Sequence, residues 1–374
     1  MKRILLVGAG HAHLAVLRNL AKDPLYGARV TLVTPYERQI YSGMLPGLVA
    51  GHYRLEEICI DVERLAARAY AEFTAGSVLT LDLKERVAKL RDDSELRYDL
   101  VSVNVGSAVD APFDWREHGA PVKPFELFLT RLSDERPARI AIAGAGAAGM
   151  ELAMALRHRG AAVTLYSDRL LMSPSLTERA LAALRRAGVD FRPGMPVTAL
   201  EPGPVVVAGT THQQFDMVML ATGPAPLDWL RGCGLARDER GFVRVDSKLR
   251  SVSHPEVFAS GDCAAVDAGA EPKSGVFSVR QGEALAENLR RMVTRDEPVP
   301  YRPRPLALQI ISCGDKYAIA ERGSWSAEGA WVWRWKDWID RRWLRSSSRL
   351  RRVLAPQTRI ERATCPLGGG CSIH

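Results

Sequence analysis

Residues 138–156 read ARIAIAGAGAAGMELAMAL. ARIAIA is an apolar, strand-like run, and the end of the stretch has small and apolar residues at helical spacing. Between them Gly144, Gly146 and Gly149 are set out as G-x-G-x-x-G. Each glycine in that pattern has a physical purpose. The first permits a tight turn, the second lets a diphosphate approach the backbone, and the third lets the helix sit close to the strand. N–H groups at the helix start face the phosphate, and the helix dipole favours its charge. A further strand, AAVTLY, is expected at 161–166, ending at Ser167, Asp168 and Arg169. Ser167 and Arg169 suit a ribose 2′-phosphate and Asp168 suits a free ribose hydroxyl, so both kinds of nucleotide stay open.

The N-terminus carries a second copy. GAGHAH at 8–13 follows ILLV and precedes the helix-like LAVLRNLAK. Gly8 and Gly10 hold the turn, but His13 stands where a small residue is expected. The next strand, ARVTLVT, ends in Thr34 where an acid would hold the ribose, and Glu37 is the nearest acid. One such turn is a modest signal. Two strand–turn–helix–strand units, 136 residues apart, point to a doubly nucleotide-binding α/β protein.

At 374 residues the chain is long enough for two domains and an appendage. It has no apolar run of 18 residues, so no spanning helix is expected. The N-terminal strand, glycine turn and helix account for MKRILLVGAGHAHLAVL better than a signal peptide does. Six cysteines at 59, 233, 263, 313, 365 and 371 form no disulfide framework and suit a reducing cytoplasm. No metal-ligand set accompanies the histidines. Net charge is +8, and residues 334–352 contribute eight Lys/Arg against Asp337 and Asp340. The excess basic charge points to an anionic surface beside that segment and not to nucleic acid.

Two Gly-rich turns, two closing motifs (VNVGS at 103–107, ATGPAP at 221–226) and VFASGDCA at 257–264 occur in that order. This ordered set resembles the two-dinucleotide flavoproteins of the pyridine nucleotide-disulfide oxidoreductase superfamily, over roughly residues 1–300. The resemblance implies FAD at the first turn, NADH or NADPH at the second, and the second domain inserted in the first. The expected FAD domain is 1–115 with 246–300, and the NAD(P)H domain is 116–245. By resemblance the FAD site draws on Gly8, Gly10, His11, Thr34, Ser42, Gly43, Pro46, Gly106, Gly261, Asp262, Gly275 and Val276. Asp262 would hold the ribityl chain, and YSGMLPG at 41–47 would cross the flavin. The nicotinamide nucleotide would meet Gly144, Gly146, Gly149, Ser167, Arg169, Thr222 and Gly223. The helix starting near Gly275 would aim its positive end at the flavin.

The superfamily's Cys-x4-Cys redox pair has no counterpart here. GAGAAGMELA resembles type II NADH dehydrogenases, with Glu151 matching their acid, and PKSG at 272–275 resembles the PKTG of sulfide:quinone oxidoreductases. GHAHLAVLR, YSGMLPGLVAGHY and WRWKDWIDRRW are similar to the flavoprotein associated with selenide, water dikinase. Glu151 and Lys273 are the candidate catalytic residues. Glu151 would position nicotinamide or pass protons, or else serve as a helix-end acid; Lys273 would add charge at the flavin, or else be a solvated loop lysine. Two glutamines near the quinone of type II dehydrogenases are replaced by Val276 and Arg280. The implied activity is an NAD(P)H dehydrogenase passing electrons to an acceptor, with quinone leading. The rivals are sulfur or selenium oxidation at Cys263, Cys313 or the tail cysteines, and a non-enzymatic flavin-binding partner in selenium metabolism.

Residues 301–374 complete the chain with an expected hairpin, LQIISCGDKYAIAERG, turning at Gly314-Asp315. Six of the eight Trp lie between 325 and 343. On a helix over 325–355, Trp331, Trp335, Trp338, Ile339, Trp343, Leu350 and Val353 form one stripe, with Arg334, Asp337, Arg341 and Arg345 largely opposite. Such a stripe suits the inner face of the cell membrane. A homodimer interface, or packing on the FAD domain, would use the same face.

Overall fold

The structure, a computed structural model, describes residues 1–348 apart from 112, 136, 170–172, 268, 270, 271, 304 and 305. The first apolar run becomes the strand Lys2–Val7 at the centre of a five-stranded parallel sheet. Its order is Val257–Ala259, Leu100–Val103, Lys2–Val7, Ala28–Thr34, Ala71–Ala75. Ile4, Leu5, Leu6 and Val7 are all buried, because a sheet covered on both faces has no solvent side for polar alternation. The edge strand Val257–Ala259 lies far along the chain. The backbone therefore leaves the first sheet, builds a second, and returns.

The second sheet is also parallel, in the order Gly119–Pro121, Met217–Leu220, Arg139–Ala143, Ala162–Ser167, Asp190–Pro193. Where the chain passes between the units, Ala108–Val109 pairs antiparallel with Pro224–Ala225. This is the expected α/β architecture with one nucleotide-binding unit inserted in the other.

One glycine sets the helices that matter for the site. A Cβ on Gly282 would lie 2.4 Å from the Ala12 carbonyl oxygen, so the helices His11–Leu20 and Gly275–Thr294 touch backbone to backbone. That contact brings the N-terminus of the later helix beside the first Gly-rich turn.

The C-terminal region is an antiparallel sheet of Gln309–Ser312, Ala318–Arg322 and Trp325–Gly329, followed by the helix Ala330–Ser348. The hairpin turn falls at Gly314, whose φ is +90° and whose Cβ would lie 2.4 Å from the Met154 carbonyl oxygen. The turn thus packs on the helix Ala147–His158. Two expectations change. Residues 325–329 are a strand, so the helix starts at Ala330; Leu350 and Val353 lie outside the described residues. The stripe also splits. Trp331 and Trp338 are exposed, whereas Trp343 stacks on Tyr41 at 4.7 Å and turns inward. Asp337 and Arg341, expected opposite the stripe, bond inward to Tyr53 and Glu57. Polar partners on the first unit choose the inward face, and hydrophobic periodicity carries no record of them.

Candidate active site

The first turn is built as the spacing requires. Gly8 has φ +86°, a conformation few side chains tolerate, and Gly10 caps the helix His11–Leu20. The turn faces Asn104, which the sequence reading missed. Asn104 Oδ1 accepts the N–H groups of Ala12 (3.1 Å) and His13 (3.2 Å), and its Nδ2 donates to the Ser260 carbonyl at 2.7 Å. The protein thus occupies part of the helix start that a diphosphate was expected to use, while joining it to the Gly261-Asp262 turn. Its signal was a polar residue closing the buried run LVSV.

His13 is fully buried and contacts no open space. One ring nitrogen meets the Gly8 carbonyl at 2.6 Å and the other the Ser102 hydroxyl at 2.8 Å. An imidazole replaces the third glycine by hydrogen-bonding across the gap it opens. Burial holds its pKa down to about 4, below the ordinary 6.5. The unfolded chain therefore takes up this proton first as pH falls. The stabilisation is complete above about pH 6.5 and is lost as pH falls towards 4, with roughly 2 kcal/mol gone between pH 7 and 5. Denaturant unfolding at both pH values should show a loss smaller by about that amount in His13→Asn than in the wild type. Equal slopes would remove His13 from the account.

Around this turn the structure gathers most of the expected FAD residues. Gly261 (φ +69°) donates its N–H to Gln281 Oε1 at 2.6 Å, and a Cβ on Gly275 would lie 3.4 Å from the His11 ring. Asp262 accepts from Lys123 Nζ at 2.8 Å and from Ser107 at 3.3 Å. Burial works against its charge, but Lys123, Lys273 and His11 outweigh it and hold the carboxyl below its usual range. Lys123 and Gln281 are further residues missed from sequence, since each acts across more than one element. Lys273 is not a solvated loop lysine: it donates to the Ala264 carbonyl and lies over the Phe242 ring at 4.2 Å. Burial lowers its pKa. Thr34 is buried at its strand end, Gly106 (φ +75°) has open space beside it, and Val276 is exposed. Ser42 and Gly43 form a short 3-10 turn, and Pro46 is buried in the helical turn after it.

The second turn keeps all three glycines. Gly144 has φ +107°, with a would-be Cβ 2.6 Å from the Ala221 carbonyl oxygen. Gly149 would place its Cβ 1.9 Å from the Gly144 carbonyl oxygen, so the helix lies against the turn. Beside Gly146 there is open space: nothing lies within 4 Å of its Cβ position. Thr222 donates to the Asp110 carbonyl and Gly223 is exposed next to it. Ser167 is buried and donates to the Arg169 carbonyl at 2.8 Å, whereas Asp168 and Arg169 are exposed at the strand end.

The C-terminal helix closes the region. His11, Tyr41 and Trp343 form an aromatic cluster with ring centroids 4.7–5.6 Å apart. Burial lowers the His11 pKa to about 4, Asp262 working the other way. Glu151 accepts the Ser312 N–H at 2.8 Å. Burial pushes its carboxyl up to about 7 against the opposing effects of Lys336 and the Ser312 N–H.

Two buried polar atoms in this region, Ser260 Oγ beside the Gly-Asp turn and Trp343 Nε1, have no hydrogen-bond partner within the protein. With two left-handed glycine turns and the open space at Gly146, they fit a pair of dinucleotides with polar edges. Among the described residues no group of acids, histidines and cysteines could hold a metal. The described cysteines Cys59, Cys233, Cys263 and Cys313 are free. Cys263 and Cys313 are buried; burial raises the Cys263 thiol pKa and pushes Cys313 up to about 12. Neither has the thiolate character of a nucleophile. Cys365 and Cys371 lie outside the described residues.

The profile of the family described as "Pyridine nucleotide-disulphide oxidoreductase" matches residues 2–285. The chain is 28% identical over 291 residues to the nitric oxide reductase FlRd-NAD(+) reductase of Salmonella gallinarum, covering 71% of this chain and 73% of that protein. Its fold is similar to the sulfide:quinone oxidoreductase of Aquifex aeolicus, with TM-score 0.77 and 16% identity over 93% of this chain and 91% of that one. It is also similar to the water-forming NADH oxidase of Lactobacillus brevis, with TM-score 0.72 and 22% identity over 86% and 75%. The chain therefore belongs to the pyridine nucleotide-disulphide oxidoreductase family, as an oxidoreductase whose cofactors are FAD and NAD(P)H.

Proposed function

We propose that the protein is an NAD(P)H dehydrogenase that passes electrons to a lipid-soluble acceptor of quinone type. Bound FAD supplies a two-electron carrier between the nucleotide and the acceptor. Residues 1–115 and 246–300 hold the FAD: Gly8 and Gly10 with His11 at the diphosphate, Asp262 at the ribityl chain, and Ser42, Gly43 and Pro46 beside the flavin. The positive end of the helix Gly275–Thr294, with Val276 in its first turn, favours the gain of negative charge there. Lys273 adds positive charge near Asp262. Thr34 and Gly106 shape the adenosine and central parts of the site. Residues 116–245 hold NAD(P)H at Gly144, Gly146 and Gly149, with Ser167 and Arg169 at the ribose and Thr222 and Gly223 towards the nicotinamide. Glu151 faces the junction of the two units.

One observation carries the acceptor assignment. The inner face of the helix Ala330–Ser348 bonds to the segment expected to cross the flavin, through Lys336 to the Gly43 carbonyl and through Asp340 to Tyr41. Its outer face exposes Trp331 and Trp338, and Trp331 stacks on Trp335 at 6.4 Å. Arg334, Arg342 and Arg345 are exposed beside them, Arg342 over the Trp338 ring at 5.3 Å. Tryptophan favours the headgroup level of a bilayer and arginine favours anionic lipid. The helix thus links the flavin region to a surface suited to the inner face of a cell membrane. No helix among the described residues is long and apolar enough to cross a membrane. The described thiols weigh against sulfur or selenium oxidation. The likeness to the flavoprotein associated with selenide, water dikinase keeps a selenium compound as the rival reductant.

The surface is tested by co-sedimentation with vesicles containing anionic lipid. Removing the whole helix would uncover the flavin segment, so the better variant is Trp331→Ser with Trp338→Ser. Wild type should bind, more weakly at high salt, and the double variant should bind at least tenfold less with unchanged FAD content. Equal binding would contradict the membrane reading. A wild type that stays in solution as a dimer would assign the exposed face to self-association.

A further inference from the structure

The helix Ala330–Ser348 lies over one short stretch of the first unit, residues 41–57. Tyr41 donates its hydroxyl proton to Asp340 at 3.0 Å, and Tyr53 donates to Asp337 at 2.8 Å. Lys336 donates to the Gly43 carbonyl and Arg341 to Glu57 at 3.3 Å. Trp343 stacks on Tyr41 and Trp333 on Tyr53, with ring centroids 4.7 and 6.2 Å apart. The same helix exposes Trp331 and Trp338 on its other side. Seated on lipid by those two rings, the helix would stand between the lipid and the segment expected to cross the flavin.

The contacts beneath the helix are of a kind that can be broken. Each charge on the inner face has its counter-charge on the helix itself, one turn away: Lys336 pairs with Asp340 at 2.6 Å and Arg341 with Asp337 at 2.9 Å. Glu57 keeps a second partner in Arg54 at 3.6 Å. Lifting the helix would strand no ion, which is the chief penalty of breaking a buried pair. The Tyr41 and Tyr53 hydroxyls and the Gly43 carbonyl would exchange protein partners for water, at a small net loss per hydrogen bond. The buried apolar side chains of the helix are Val332 and Leu344, with Trp333 and Trp343 half-buried. The closed packing also leaves Arg18 Nε, beside the Trp343 ring, without a hydrogen-bond partner. At a headgroup layer Trp333 and Trp343 would find a comparable half-apolar setting, and Lys336 and Arg341 would meet anionic lipid. We propose that this helix is a releasable strap: it covers residues 41–57 in solution and lifts from them when Trp331 and Trp338 enter an anionic lipid surface, opening the flavin region to the lipid-soluble acceptor. This rests on the membrane and acceptor reading above.

Hydrogen exchange of the holoprotein, with and without vesicles containing anionic lipid, tests the strap, and co-sedimentation of the same samples measures binding. On vesicles, amide protection over residues 41–57 should fall about tenfold while the helix Ala330–Ser348 stays protected. Tyr53→Phe with Glu57→Gln removes two bonds to the helix and leaves its own ion pairs intact. In solution without vesicles this double variant should lose protection over 41–57 by about tenfold. After reduction with dithionite, its flavin should also be reoxidised by a water-soluble benzoquinone several times faster than the wild type, and gain less from vesicles. Tyr53→Phe alone, with a smaller effect in the same direction, serves if the double variant does not retain FAD. Wild type that sediments with vesicles and keeps its protection over 41–57 would overturn the strap and leave the membrane reading standing. Wild type that does not sediment would overturn both. Variants as protected as wild type in solution would show that these contacts do not hold a strap.

Discussion

Gly146→Val is expected to remain yellow and to lose its response to NAD(P)H. Gly146 has φ −70° and ψ 178°, which valine adopts readily, and no protein atom lies within 4 Å of its Cβ position. The folded chain therefore tolerates the substitution. The added isopropyl group would enter the space left for a diphosphate at the helix start and hinder approach to its N–H groups. The Michaelis constant for NAD(P)H should rise at least tenfold, equivalent to about 1.4 kcal/mol of binding. The FAD-to-protein ratio and the unfolding temperature should stay near the wild-type values. Loss of FAD with retained nicotinamide affinity would mean that the two nucleotide sites are exchanged.

Gly10→Val should behave in the opposite way, although it makes the same change at the matching position. There the new Cβ would lie 2.3 Å from Asn104 Oδ1 and 2.7 Å from its carbonyl oxygen, so the clash is internal. Asn104 ties the helix start to the Ser260 carbonyl, and a push on it reaches the Gly261-Asp262 turn. The protein should purify colourless and be less stable by about 1–3 kcal/mol, the usual result of forcing extra atoms into a packed site. Absorbance at the flavin bands and thermal unfolding measure the two effects. A colourless variant with unchanged unfolding temperature would show that the valine meets only the cofactor.

These two glycines also mark what could be read from the chain. Both turns were legible because left-handed backbone and close strand–helix contact are local demands that few residues other than glycine satisfy. The order of motifs made the inserted second unit legible as well. Much of what surrounds the turns was not. His13 breaks the small-residue rule, and only its two partners, Gly8 and Ser102, explain how the turn accepts it. Asn104, Lys123 and Gln281 reach the site from separate elements, and no local pattern marks a hydrogen bond over such separations. The C-terminal helix is the sharpest case. Its tryptophans suggested a buried or lipid-facing stripe, but its packing is set by Lys336, Asp337, Asp340 and Arg341 meeting Gly43, Tyr53, Tyr41 and Glu57. Polar complementarity between elements nearly 300 residues apart has no periodicity to detect.

The central claim is that NAD(P)H delivers electrons to bound FAD in this chain. Anaerobic rapid mixing of the yellow protein with NADH or NADPH, followed at the flavin absorbance, tests it most directly. The account predicts bleaching within seconds by at least one of the two nucleotides, and reoxidation on adding a quinone. Bleaching by sulfide or selenide but by neither nucleotide would contradict it, as would a flavin inert to all of them.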